Sequence, residues 1–345
     1  MRGTRALIMA TVAALLPLVA GASDQDCRRL MAEGKLQADL GRHDEASAAF
    51  GAVAEDDTAP SSLRWEALVR LGLARSAAGD TTASVAAFRS VLASYPDDPE
   101  AMRFLTRAVA SSSPGKVWID FKAEFEELLR TARIVAAEEL GMGLKRPKKV
   151  ELRKGDLELS GVWKPPGDGD VHGRRRSRRF EVAAYEVDKM LGLDMVPPTV
   201  LRTFEGSEGS LQLWVYGCET AADLPDRVPD PFEWHRQISR MTTFDQIIGN
   251  RDRNQGSILV DPEWGIVLID HSLSFWEVGE VLRLPSRYDR RLVDRLRRLS
   301  LPVLLAHLEG LLNRRQIEAL LERRDAVLSN VEKLVEERGE QAVFF

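Results

Sequence analysis

The spacing of apolar residues along this chain changes several times, and each change predicts a different kind of element. Over residues 25 to about 112 apolar positions recur at helical intervals broken by glycines. After that, short runs bounded by Gly, Pro and charged residues predict strands over 133–138, 148–153 and 157–163. Helical spacing returns at Phe180, Ala184, Val187 and Leu191, and Gly192 suits the end of that helix. Residues 257–260 and 266–269 are two further strand-like runs. They are joined by Asp261-Pro-Glu-Trp-Gly265, whose Pro and closing Gly favour a tight turn. From Arg287 onward Leu292, Leu296 and Leu299, then Leu304, Leu305, Leu308, Leu311 and Leu312, mark a helical end. The pattern as a whole is α+β.

The first helical stretch repeats itself. Gly34, Gly41 and Phe50 return as Gly72, Gly79 and Phe88, each 38 residues on, and Pro60 returns as Pro99. Each unit reads as helix, turn at its second glycine, helix, with small residues (Ala46, Ala49; Ala83, Ala87) where the pair must approach closely. Such a unit must stack on a neighbour to bury its apolar face. Residues 100–109 read as a capping helix, and Ser111-Ser-Ser-Pro-Gly115 as a linker. A further apolar stripe at Phe121, Phe125, Leu128 and Leu129 predicts a connecting helix.

Composition narrows the function classes. The chain has 345 residues, 44% hydrophobic and 29% charged, with net charge −5. A phosphate-backbone-binding surface should be basic, so nucleic acid is not an expected partner. The one basic cluster, Arg174 to Arg179, reads either as a solvated loop or as a contact for phosphates or an acidic substrate. Arg2 and Arg5 precede an apolar stretch from 6 to 19, and Ala20-Gly-Ala22 fits a cleavage site, so a signal peptide over 1–22 and export are expected. The apolar stretch is short for a membrane span. Two cysteines, Cys27 and Cys218, give no disulfide framework, and the five histidines show no zinc-ligand spacing.

Chemistry concentrates late in the chain. Ile248-Gly-Asn-Arg-Asp252-Arg-Asn254 and Ile266-Val-Leu-Ile-Asp270-His-Ser flank the hairpin, so Asp252 and Asp270 should meet at one of its ends. Phosphoryl transfer needs one carboxylate to accept the acceptor's proton and another to hold the metal on the nucleotide phosphates. Upstream, Lys164 ends a strand and can reach phosphates as a point charge; Glu181 opens a helix and can orient it. Gly141, Gly143 and Lys145 lie in the 141–147 hairpin loop, where backbone N–H groups can approach phosphates.

The stretch Glu181-Val-Ala-Ala-Tyr-Glu-Val-Asp-Lys-Met-Leu-Gly192, continuing to Val196-Pro-Pro198, resembles the Golgi casein kinase family, secretory-pathway atypical kinases with bacterial relatives. Phe244-Asp245, Ile248 to Arg253 and Leu268-Ile-Asp270 are similar to its catalytic and metal-binding segments, so the resemblance covers roughly 130–310. HipA-type and phosphatidylinositol kinases are more distantly similar, and the second helical unit, by Leu71-Gly72, Gly79, Phe88 and Pro96, resembles a tetratricopeptide repeat. Taken with the patterns above, the expected division is a signal peptide (1–22), helical repeats (23–112), a linker and helix (113–130), and, as the resemblance implies, an N-lobe (131–217) and a C-lobe (218–345). It implies an ATP- and Mg- or Mn-dependent kinase acting on a protein or sugar hydroxyl, the repeats docking a protein. Asp252 would be the base and Asp270 the metal ligand. Lys164 would hold phosphates and pair with Glu181; Gln212 and Trp214, after Gly209-Ser210, would form the adenine hinge; Arg253 would fix the loop. Asn254 stands where a His is usual, and Ser257 where the lipid kinases carry a metal-binding Asn; both are metal-site candidates. The second reading is an exported pseudokinase that scaffolds partners.

Overall fold

A computed structural model describes residues 23–94, 115–116, 118–119, 121–141, 147–155, 157–167, 169–171, 174–224, 228–281 and 283–345. The expected leader, the 100–109 helix, most of the linker, Gly143 and Lys145 lie outside the described residues. The chain divides into two compact units, Met1–Ser113 and Pro114–Phe345.

In the first unit four helices, α1 (Asp24–Asp39), α2 (His43–Ala54), α3 (Ser61–Ala77) and α4 (Thr81–Ser94), pack in sequence. Ser23 and Asp26 form a reciprocal cap at the start of α1. The repeated glycines have two separate jobs. Gly41 and Gly79 turn the chain with φ of 72° and 82°. Gly34 and Gly72 have no such need; a Cβ on either would lie 2.6 Å from the ring of Phe50 or Phe88. Each phenylalanine therefore fills a notch that only glycine leaves open, and both rings are buried. The repeat read from the sequence is a repeated ring-in-notch contact.

The second unit opens with α5 (Lys122–Thr131) and an antiparallel sheet in the order β1-β2-β3-β7-β6. Its strands are β1 (Arg133–Glu139), β2 (Lys148–Lys154), β3 (Leu157–Lys164), β6 (Thr199–Phe204) and β7 (Ser207–Leu213). The hairpin β4 (Gly169–Val171) and β5 (Arg174–Arg176) precedes α6 (Arg179–Leu191), closed by Gly192 at φ 52°. One expectation is corrected here. The strand bearing Gln212 does not begin after Gly209-Ser210; the turn is Glu205-Gly206, both at positive φ, and β7 runs through Gly209. Gly209 is in mid-strand because the Lys164 carbonyl oxygen lies nearest to where a Cβ would stand and the Trp163 indole crosses the same point at 2.6 Å.

The remaining elements are β8 (Glu219–Thr220), α7 (Pro231–Ile248), a 3₁₀ turn (Gln255–Ser257), β9 (Ile258–Val260) and β10 (Ile266–Leu268). Four helices follow, α8 (Arg290–Arg298), α9 (Leu301–Leu308), α10 (Arg314–Arg338) and α11 (Glu340–Val343). Helix α7, unread in the sequence, is capped by Asp230, which accepts from the N–H groups of Phe232 and Glu233, with Pro231 at its first turn. One buried cluster joins α6 to this second half. Phe180, Ala184 and Tyr185 belong to the same core as Phe244, Ile248, Leu268, Tyr288, Leu292 and Leu320. Helix α6 is thus fixed from below as well as by the sheet. Among the described residues no helix is long and apolar enough to cross a membrane.

Gly72→Leu should lower the first unit's stability by about 1–3 kcal/mol, because the ring of Phe88 has nowhere to go. Gly51→Ala, on an open helical surface, should raise it by about 0.5–1 kcal/mol. Urea titration followed by circular dichroism distinguishes the two; equal midpoints would refute the notch.

Candidate functional site

A cleft of about 540 Å³ lies between the sheet and the C-terminal elements of the second unit. Leu140, Pro147, Val162 and Trp214 line one side, and Cys218, Leu259 and Ile269 the other. At its polar end stand Lys164, Glu181, Asp270, Arg176 and Arg178. Its size and its apolar walls with a few convergent charges suit a cofactor-sized ligand.

The polar end is built around one buried carboxylate. Lys164, the last residue of β3, donates from Nζ to Glu181 Oε1 at 2.6 Å and to Asp270 Oδ1 at 3.4 Å. Glu181 lies in the first turn of α6 and is 1% exposed. Its other oxygen accepts the backbone N–H of His271 at 3.0 Å, and the buried His271 ring faces it at 3.7 Å. Burial alone would raise the Glu181 pKa; Lys164 and His271 outweigh it and hold the carboxyl well below its usual range. Burial likewise opposes charge on Lys164, and Glu181 with Asp270 pushes its pKa above normal. The pair is therefore ionised, and each partner leaves the other uncompensated if removed. Asp270 itself is half exposed and sits at φ 60°. The Ser272 hydroxyl donates to its Oδ1 at 3.3 Å.

A second network shapes the loop carrying Asp252. The Arg253 guanidinium holds Asp245 of α7 with two bonds, 3.0 and 2.9 Å. The same group donates to the carbonyls of Ser257 at 2.9 Å and Ile269 at 2.7 Å. Helix α7, the loop and the residue before Asp270 are thereby tied to one side chain, which brings the two acidic segments to the same hairpin end. Asn250 donates to Asp245 and accepts the Asp252 N–H at 3.0 Å, leaving the Asp252 side chain exposed. Beneath the loop, Arg323 of α10 is 1% exposed and bonds the carbonyls of Ile247, Trp276 and Val278 at 2.8–3.0 Å. Burial pushes its pKa down to about 10.

The other sequence candidates fall as follows. Gly141 is exposed at φ 64° beyond β1. Gln212 and Trp214 line the cleft, but the Gln212 amide donates to Thr199 Oγ1 at 2.9 Å and Trp214 carries the Lys149 ammonium 4.5 Å over its ring. Asn254 and Ser257 line it too, with side chains engaged in the backbone of their own turn: Gly256 N–H donates to Asn254 Oδ1, and Ser257 Oγ donates to Asn254 O. Among the described residues no three His, Cys, Asp or Glu side chains gather as a ready-made metal cage. Sequence reasoning met Asp245, Asn250 and His271 only as members of the quoted segments, with no role for any of them, and missed Arg323 and the cleft-lining Cys218.

Comparison with known proteins accords with this geometry. A tetratricopeptide repeat profile matches residues 31–99 and 69–110. A hydra Fam20 structure with sugar superimposes at TM-score 0.51 and 18% identity, over 70% of this chain and 95% of that one. The Golgi casein kinase with Mn/ADP bound does so at 0.50 and 15%, over 73% and 84%. The second unit has a Fam20-like kinase fold. The first is built of tetratricopeptide repeats. Protein Rv2133c of Mycobacterium tuberculosis is 31% identical over 32% of this chain, and the chain spans about half the length of that curated relative (49%).

Asp188, on the same helix as Glu181, accepts the Met195 N–H at 3.0 Å and is fully buried. Burial raises its pKa to about 7 against that bond. The folded state therefore binds this proton more tightly than the unfolded chain. Its stabilisation is complete below the unfolded value of 3.8 and is lost as pH rises through about 7. Asp188→Asn should remove that loss, roughly 2–4 kcal/mol, from the stability–pH curve. Glu181 has the opposite sign, its contribution vanishing as pH falls below its ordinary 4.5. Chemical denaturation from pH 4 to 8 on both proteins measures the difference; parallel curves would refute the Asp188 assignment.

Proposed function

We propose that this chain is an ATP- and divalent-metal-dependent phosphotransferase acting on a hydroxyl acceptor, a protein before a sugar. The observation that carries the reading is the Lys164 ammonium held between Glu181 and Asp270 at the polar end of the cleft. A charged lysine fixed by a buried acid is suited to nucleotide phosphates, and Arg176 and Arg178 add positive charge along the same wall. The apolar walls suit a base, with Trp214 at the sheet edge.

The residues fit a hard cation held chiefly by the nucleotide. Such an ion keeps waters and takes one or two carboxylates plus phosphate oxygens, and Asp270 is a half-exposed carboxylate beside the phosphate-binding lysine. Asn254 and Ser257 are further side-chain oxygens lining that cleft. The ion would neutralise charge on the transferred group. Asp252, exposed and held by its backbone, would accept the acceptor's proton; Arg253 would keep its loop in register. The Mn/ADP complex of the Golgi casein kinase supports the cofactor assignment for this cleft. The repeats would dock the protein acceptor or a partner, and residues 1–22 would direct export.

One observation favours a second reading, a pseudokinase scaffold: Asn254 and Ser257 spend their side chains on the backbone of their own turn, at Asp252, Gly256 and Asn254. The two readings separate in one experiment. ATP with Mn²⁺ should raise the melting temperature by several degrees, and Asp270→Asn should abolish that rise. Asp252→Ala should keep the rise and lose phosphate transfer by 100-fold or more, roughly the worth of a positioned base. Binding without transfer in the wild type would select the scaffold. Fractionation of mature protein tests export.

A further inference from the structure

The residue immediately before Asp252 is engaged with the segment that follows Asp270. Arg251 donates to Glu280 Oε2 at 3.0 Å, and its guanidinium stacks 4.5 Å from the centroid of the Trp276 ring. The Arg251 side chain is 20% exposed, whereas Glu280 is 60% exposed. The segment presenting these two residues is itself pinned at several points. The Phe275 N–H donates to Ile248 O at 2.7 Å, Asn313 bonds Glu277 at 2.8 Å, and Arg323 holds the carbonyls of Trp276 and Val278. Its Ser272, Ser274 and Tyr288 hydroxyl-bearing side chains are buried, at 8%, 1% and 0% exposure; Ser286 is exposed.

Kinases whose equivalent segment is loose are ordered when a phosphate added to it pairs with arginine. Here a glutamate written into the sequence already provides that negative charge, facing the arginine beside Asp252. We infer that Arg251, Glu280 and Trp276 form a permanent clasp that positions Asp252, so that the 271–289 segment needs no phosphorylation. Arg251 and Glu280 are positioning residues: they act through the backbone of residue 252, whose N–H is already held by Asn250. The inference rests on the catalytic reading of Asp252, but the clasp itself is a property of the fold and can be tested apart from turnover.

The contacts set the expected size. A partly exposed ion pair and a cation–π contact together limit the effect to about one order of magnitude. Hydrogen exchange on the full chain should show about 3-fold faster exchange at the Asp252 amide in Glu280→Gln. Arg251→Ala, which removes both contacts, should give about 10-fold. The exchanged pair Arg251→Glu with Glu280→Arg should return toward wild type, a rescue that general destabilisation would not show. Where the wild type transfers phosphate, kcat should fall in the same order with KM for ATP unchanged. Phosphatase-treated protein, shown by mass spectrometry to carry no phosphate on 271–289, should keep its full rate. Unchanged exchange in both single variants, no rescue by the swap, or loss of rate on dephosphorylation would overturn the proposal. A wild type without turnover would instead sink the catalytic reading, the exchange results still deciding the clasp.

Discussion

The second unit depends on a carboxylate placed where water cannot reach it. Glu181 is tolerated there because Lys164 and the His271 N–H satisfy it from opposite sides. Each of those partners comes from a different element: the end of β3 and the turn after β10. The ion pair therefore works as a distance constraint among sheet, helix α6 and hairpin. Its Coulomb gain is offset largely by desolvation, so its net stabilisation is modest. Its value lies in specificity, since any arrangement that separates the three elements strands a buried charge.

The same logic recurs in the arginines. Arg253 and Arg323 are buried for their ability to satisfy several carbonyls and carboxylates at once, at chain positions where no helix or strand can do so. Irregular backbone near a cleft leaves unpaired C=O groups, and a planar group with five donors closes them without regular structure. The loop bearing Asp252 is consequently rigid in spite of having almost no secondary structure.

Much of this was legible in the sequence where local rules apply. The glycine–phenylalanine repeat and the hairpin separating Asp252 from Asp270 follow from periodicity or short spacing, and the Lys164–Glu181 pair was implied by the family resemblance. What escaped is long-range. Arg323 sits on a helix where a charged residue reads as a solvated face, and its carbonyl partners lie 45 to 76 residues away. His271 gave no sign of full burial, because one-dimensional patterning does not distinguish a polar ring enclosed in the core from one at the surface. The role of Gly209 escaped for a related reason: a close approach by the Lys164 carbonyl and the Trp163 indole leaves no local sign in the sequence.

Asp270 adopts a left-handed backbone, a conformation that asparagine and aspartate reach far more readily than other residues with a Cβ. Shape and charge at this position are consequently inseparable for most replacements. Alanine or serine would deform the chain while removing the acid, so their phenotypes would mix two causes. Asparagine and glycine both allow the local backbone geometry while deleting the anion, and of the two asparagine also keeps the side chain's size. Any survey of natural variation here should find the repertoire narrowed by stereochemistry before selection on reactivity acts at all.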